Sequence, residues 1–165
     1  MTYTDPNGSL STGTDLLSIG NGGFAALTQN ITDGASGAYK ANKYYRGQRT
    51  LAAAANDDLD LSGGLSDPFG NAFNFTYVRG ILLAIVTPDG TKKLRFGPQN
   101  VANAWQGPFG GVGATVYFDV LDHFLLVNFT GVNGWAVTAA TADILRINNP
   151  SAGAVTYNIA ILGQG

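Results

Sequence analysis

A single histidine is the first candidate for chemistry in this chain. His123 stands close to Asp119 and Asp122, and a serine-histidine-aspartate triad assembles in space, so such a triad is compatible with this spacing. The Gly-x-Ser-x-Gly elbow that presents a nucleophilic serine does not occur in the sequence, however. A lone histidine at the start of a strand is usually a partly exposed polar side chain, so we expect a protein that is not an enzyme.

Clustered aspartates offer the oxygen ligands that calcium prefers. One set comprises Asp57, Asp58 and Asp60, and a second comprises Asp5, Asn7 and Asp15. Neither set has the spacing of an EF-hand loop, and aspartates in glycine-rich turns are more often solvated turn formers. The chain has one histidine and no cysteine, which excludes a histidine-rich or zinc-cysteine site. We therefore expect no metal and no cofactor.

The most unusual local composition is YKANKYYRGQR at residues 39–49, which gathers four of the nine basic residues and three tyrosines. Tyrosine and arginine are enriched at protein interfaces, lysines protect edge strands from aggregation, and basic-aromatic segments can bind single-stranded nucleic acid. The net charge of −2 gives no attraction to nucleic acid or to an anionic membrane. We rank a protein interface first, a solvated edge second and nucleic acid last. The candidate partner-binding residues are Tyr39, Lys43, Tyr44, Tyr45 and Arg46.

A second candidate surface is the loop at 97–113, which is rich in Gly, Pro, Asn and Gln and carries Trp105 and Phe109. Aromatic residues on such a loop can contact a partner, or the loop can fold back as a lid over one end of a sandwich. Trp105 or Trp135 could also serve as a stacking platform in a carbohydrate-binding module.

Composition indicates which elements must position these residues. The chain has 165 residues, 23 of them glycine, and its acidic residues are all aspartate, so turn formers are abundant and several helix formers scarce. This favours an all-β protein of one domain. Only 12% of the residues are charged, which suggests that another protein covers much of the outer surface, or alternatively that polar Asn, Thr, Ser and Gln solvate it.

Alternating apolar residues bounded by turn residues predict about nine or ten short strands. We expect a first strand at 24–31, two short strands with a turn at Asn56-Asp57, a central strand at 73–88 with a bulge at Gly80, and a hairpin through Asp89-Gly90. Further strands are predicted at 114–120, 123–129 and 135–139, and a closing hairpin at 144–148 and 155–162. Residues 24–165 should form a single-domain, jelly-roll-like antiparallel β-sandwich.

The first 23 residues are polar and glycine-rich. They predict an extended N-terminal arm that becomes ordered along a partner, or alternatively an ordinary frayed terminus. No apolar run approaches the roughly 18 residues of a membrane span, so we expect no membrane association and assembly in a cytoplasm.

Several segments together resemble small structural proteins of tailed bacteriophages. These are RTLAA at 49–53, DLDLSG at 58–63, DPFG at 67–70, GWAVTA at 134–139, DILRI at 143–147 and VTYNIAILG at 155–163. The resemblance implies a virion component without catalytic residues, most like a capsid decoration or cement protein on the head surface. Together with the low charge, the glycine-rich arm, the aromatic-basic patch and the absence of chemistry, it leads us to expect a homo-oligomer, with a trimer favoured, that binds the major capsid protein. A tail, neck or fibre component is the alternative within the same class.

Overall fold

The computed structural model describes residues 30–67, 70–98, 101–110, 118–129 and 131–165. Eleven β-strands and one 3₁₀ turn, Gly107–Phe109, lie within these ranges. The strands are β1 (Lys43–Leu51), β2 (Asn56–Asp60), β3 (Ser62–Ser66), β4 (Ala72–Asn74), β5 (Tyr77–Ile85), β6 (Leu94–Gly97), β7 (Phe118–Val120), β8 (His123–Val127), β9 (Trp135–Ala136), β10 (Ile144–Asn148) and β11 (Val155–Gln164). The predicted arm at 1–23 and nearly all of the strand predicted at 24–31 lie outside the described residues.

Two antiparallel sheets form the body of the protein. One has the strand order β1-β11-β5-β8, with β9 also paired to β5, and the other has the order β2-β10-β6-β7. Strands β3 and β4 form a separate two-stranded ribbon. Without β3, β4 and β9, eight strands remain, and along the chain their sheet orders are 1-8-3-6 and 2-7-4-5. This is the order of a jelly roll, which confirms the predicted all-β, jelly-roll-like sandwich.

The core lies between the two sheets and is built from the alternate residues of each strand that point inward. In β11 the predicted alternation is confirmed, because Val155, Tyr157, Ile159 and Ile161 are buried and the residues between them are partly or fully exposed. Ile147 of β10 is buried in the same apolar cluster from the opposite sheet. Period-two patterning thus identifies the inward face of these strands correctly.

The predicted closing hairpin is wrong, because β10 and β11 belong to different sheets. Strand β10 pairs with β2 and β6, whereas β11 pairs with β1 and β5. The connection between them is held by Asn149, whose buried amide donates to the carbonyls of Leu51, Ala52 and Gly153. The segment is therefore an arch that crosses from one sheet to the other.

The hairpin predicted at Asp89-Gly90 is wrong for the same reason, since β5 and β6 also lie in different sheets. The turn predicted at Asn56-Asp57 lies instead at 52–55, and Asn56 already begins β2. The segment predicted as one strand at 73–88 is divided into β4 and β5. The irregularity predicted at Gly80 is confirmed, because Leu162 pairs with Gly80 and Gly163 with Val78, which leaves one extra residue in β5.

That extra residue is Arg79, a wholly buried arginine that organises one end of the sandwich. Its side chain is 0% exposed, and its guanidinium donates to the carbonyls of Gly37, Asn128, Gly131 and Val132. These carbonyls come from the segment before β1 and from the loop after β8. Arg79 therefore holds both segments against the start of β5.

Candidate functional site

Strand β1 carries most of the predicted aromatic-basic patch at the edge of its sheet. Tyr44 is 58% exposed and points outward together with Arg46, whereas Tyr45 is only 9% exposed and packs into the core. The Lys43 ammonium lies over the Phe73 ring, 5.3 Å from its centroid. Tyr39 precedes the strand and is partly exposed. Because successive residues of β1 point to opposite faces, part of the patch faces outward and part faces the core. The assignment of Tyr45 as a partner-binding residue is therefore wrong.

The described part of the predicted contact loop, residues 101–110, folds back onto the protein. Trp105 is 0% exposed and Phe109 is 7% exposed, so neither side chain is displayed to a partner. The Trp105 indole donates to the carbonyl of Ala136 at 2.9 Å and packs edge-on against Trp135. A Cβ atom on Gly107 would lie 2.4 Å from the indole, so the backbone passes directly over the ring. Residues 101–110 thus form the lid that the sequence left as an alternative, and the buried Trp105 is excluded as a sugar platform.

The candidate catalytic residues do not converge. The His123 Nδ1 atom lies 2.7 Å from an oxygen of its neighbour Asp122, and both side chains are mostly exposed. The Asp119 carboxylate contacts Lys93 at 3.3 Å and Arg95 at 3.1 Å instead. His123 with Asp122, and Asp119 with Lys93 and Arg95, therefore form two separate surface groups and not one triad.

The outward face of the β2-β10-β6-β7 sheet, named here the β2–β7 face, is crossed by ion pairs. Arg146 contacts Asp58 at 2.6 Å across β10 and β2, and Arg95 contacts Asp119 across β6 and β7. The Asp60 carboxylate accepts a hydrogen bond from the Ser62 amide. Asp57 is held by Arg49 and the Tyr157 hydroxyl, so the candidate calcium ligands 57, 58 and 60 each have protein partners of their own. No cluster of metal-binding side chains occurs among the described residues.

The outward face of the β1-β11-β5-β8 sheet, named here the β1–β8 face, differs in kind. Across all four strands the registers align outward residues in three rows, and beyond the last row Thr50 of β1 lies opposite Thr156 of β11. The rows are Tyr44, Leu162, Gly80 and Val127; Arg46, Ala160, Leu82 and Leu125; and Gln48, Asn158, Ala84 and His123. Arg46 is the only lysine, arginine or aspartate in them. An outward face of an antiparallel sandwich normally alternates polar side chains toward water, so this apolar surface is suited to a partner.

A groove of about 450 Å³ lies on the β1–β8 face. Tyr44, Arg46 and Gln48 form one wall, and small residues such as Ala84 and Ala160 form its floor. At one end the Phe129 ring covers the position where Gly80 lacks a side chain. The β1–β8 face is therefore aliphatic and aromatic toward the Arg79 end and polar toward Gln48 and Asn158.

A partly buried polar cluster joins the edges of the two sheets. The Tyr157 hydroxyl donates to Asp57 at 2.6 Å, and the Arg49 guanidinium donates to the same carboxylate and to the Tyr45 hydroxyl. Burial first, and then the hydrogen bond to Asp57 and its negative charge, raise the pKa of Tyr157 well above its usual value. Because Tyr157 is wholly buried, we assign the cluster to stability and not to substrate binding.

The Tyr157 hydroxyl makes stability sensitive to alkaline pH. Its pKa is raised on folding, so its contribution is complete below about pH 10, the usual pKa of tyrosine, and is lost as the pH rises toward the folded value. We expect the free energy of unfolding to fall above about pH 10 in urea titrations. Tyr157→Phe should cost about 1–3 kcal/mol at neutral pH and remove part of that fall. Equal alkaline slopes in the two proteins would contradict this assignment.

Tyr44 and Arg46 are exposed, as a partner-binding role would require, and that role stays a prediction. The aliphatic centre of the β1–β8 face was not predicted from the sequence. A signal for it exists in the run ILLAIV at 81–86, which has no polar residue at its outward positions. In an antiparallel sandwich, such a run indicates a strand covered on both faces. No protein-family model matches this chain, and no curated protein matches it at a significant level.

Proposed function

We propose that this protein is a non-enzymatic structural component of a tailed-bacteriophage virion. In this proposal it is a decoration or cement protein that binds the outer surface of the head and stabilises contacts between major capsid subunits. The contrast between the two outward faces carries the proposal. The β2–β7 face is solvated by ion pairs, and the β1–β8 face presents Leu82, Leu125 and Leu162 around a single charge.

The jelly roll supports such a role by holding this face rigid. Each of its four strands is paired to a neighbour, so the face keeps its shape when it docks. In the proposal the protein acts as a homo-oligomer, with a trimer favoured, and several modest contacts add through avidity. Residues 1–23 would extend the contact along neighbouring capsid proteins.

The proposal is tested by adding purified protein to undecorated heads. We expect the protein to co-sediment with the heads in hundreds of copies per particle and to raise the temperature at which the heads release their DNA. Absence of binding, or binding without any gain in resistance to heat or chelator, would refute the cement role.

Copy number separates the head from the alternative of a tail, neck or fibre position. Cyclic and dihedral symmetry at those positions gives only a few copies per particle, on the order of three to twelve. A count in that range in purified virions would move the proposal from the head to the tail or neck. The carbohydrate-binding alternative retains only Trp135, because the Trp105 side chain on the lid points inward and is wholly buried.

A further inference from the structure

Arg46 is unlike every other basic side chain of the protein. The structure describes all nine lysines and arginines, and eight of them contact an aspartate, a backbone carbonyl or an aromatic ring. Arg49, Lys92, Lys93, Arg95 and Arg146 pair with aspartates, Lys40 and Arg79 donate to carbonyls, and Lys43 lies over a ring. Arg46 makes no such contact with any residue in the described ranges.

The position of Arg46 makes this absence informative. It lies in the row that continues through Ala160 and Leu82 to Leu125, so its neighbours across the sheet are small or aliphatic. It also lines the groove on the β1–β8 face. No residue in the described ranges offers it a carboxylate.

Docking of a partner on this face would remove water from the Arg46 guanidinium. A charged group that is covered without a partner loses its hydration and gains nothing in return, which opposes binding. A carboxylate supplied by the partner removes that penalty, because it can accept two parallel hydrogen bonds from a guanidinium. A face with one unpaired arginine among aliphatic residues thus selects a surface with one acidic group among apolar ones.

We propose that Arg46 is the specificity-determining residue of the β1–β8 face and that it pairs with an aspartate or glutamate on a protein partner. Apolar side chains beside that carboxylate pack against Leu82 and Leu162. This inference rests on the proposed function, because it takes the β1–β8 face as the docking surface. It adds that the partner presents an acidic side chain to this face. A nucleic acid does not fit, because a polyanion requires several cations and this face presents one.

The inference is tested without a virion by nuclear magnetic resonance titration with short extended peptides. The probe is a peptide with one glutamate between valines, and its control has glutamine in place of glutamate. We expect the glutamate peptide to shift the signals of the Arg46 guanidinium and of Ala160 and Leu82, and the glutamine peptide to shift them much less. Equal effects of the two peptides, or shifts confined to other surfaces, would overturn the inference.

Binding to undecorated heads then tests the same residue in the assembled particle. Arg46→Gln should weaken binding about thirtyfold, the equivalent of about 2 kcal/mol for removing one member of a covered charge pair, and Arg46→Lys should weaken it less. Arg95→Gln removes the same charge from the β2–β7 face and should bind as the unmodified protein does. If the unmodified protein fails to bind heads but binds the glutamate peptide at Arg46, the head assignment fails and this inference stands. If it binds heads and Arg46→Gln binds equally well, this inference fails and the head assignment stands.

Discussion

Replacing Arg79 with leucine is expected to lower the free energy of unfolding by about 3–5 kcal/mol, the largest loss of stability that we expect from one substitution. The guanidinium is wholly buried and donates to four backbone carbonyls at 2.5–3.2 Å. Leucine fills part of the volume but provides no donor, so these carbonyls lose their partner where water is excluded.

Chemical denaturation followed by fluorescence measures this effect. Arg79→Lys keeps the charge but has one nitrogen in place of a guanidinium, so it should lie between leucine and the unmodified protein. Hydrogen exchange should also quicken at the amides of Gly37 and Tyr39, which donate to Val132 and Phe129 in the segments that Arg79 holds. A loss below about 1 kcal/mol for Arg79→Leu would show that these loops are held by other contacts.

Leu82→Glu is expected to abolish binding to undecorated heads while the protein remains folded. Leu82 lies near the centre of the β1–β8 face, and its outward side chain is only half-buried, so the substitution leaves the core intact. A new carboxylate there has to be desolvated on docking and would repel the acidic group that we assign to the partner. Together these effects correspond to a loss of several kcal/mol in binding, more than a hundredfold in affinity.

Ile144→Glu is the matched control on the opposite side of the sandwich. Ile144 points outward from β10 and is also half-buried. It lies opposite Asp60, so a glutamate there would face a second carboxylate, and Ile144→Glu should destabilise the fold more than Leu82→Glu does. It should nevertheless bind heads normally, because the β2–β7 face points to solvent in our proposal. If both variants bind equally well, the β1–β8 face is not the docking surface.

The fold class and the inward residues of β11 could be predicted from sequence because alternation reports which face of a strand is buried. It does not report which strand is the neighbour, and so the hairpin predicted for β10 and β11 is wrong, because these strands belong to different sheets. In a jelly roll, successive strands often cross between the sheets, and an arch has turn residues much like those of a hairpin. The partners of Arg79 were equally inaccessible, since its four carbonyls come from segments 42 to 53 residues away.

The candidate site was predicted in part. The composition of residues 39–49 singles out Tyr44, Tyr45 and Arg46 alike. It does not take into account that successive residues of a strand point to opposite faces, so that Tyr44 and Arg46 point outward and Tyr45 points into the core. Trp105 and Phe109 were placed on the surface because their loop is rich in glycine and proline, although the aromatic rings themselves favour burial over the open end of the sandwich. Every second residue of β5 and β8 points outward, and the apolar residues at these positions are the signal in the sequence for the aliphatic rows.

A cryo-electron microscopy map of heads carrying the bound protein would show directly which face docks. We expect the β1–β8 face to meet the capsid shell, with Leu82 and Leu162 buried against it and Arg46 beside a capsid carboxylate. We also expect the β2–β7 face, with the Arg146–Asp58 and Arg95–Asp119 pairs, to point to solvent. A map in which the β2–β7 face meets the shell, or in which the protein is found only at the neck or tail, would contradict this proposal.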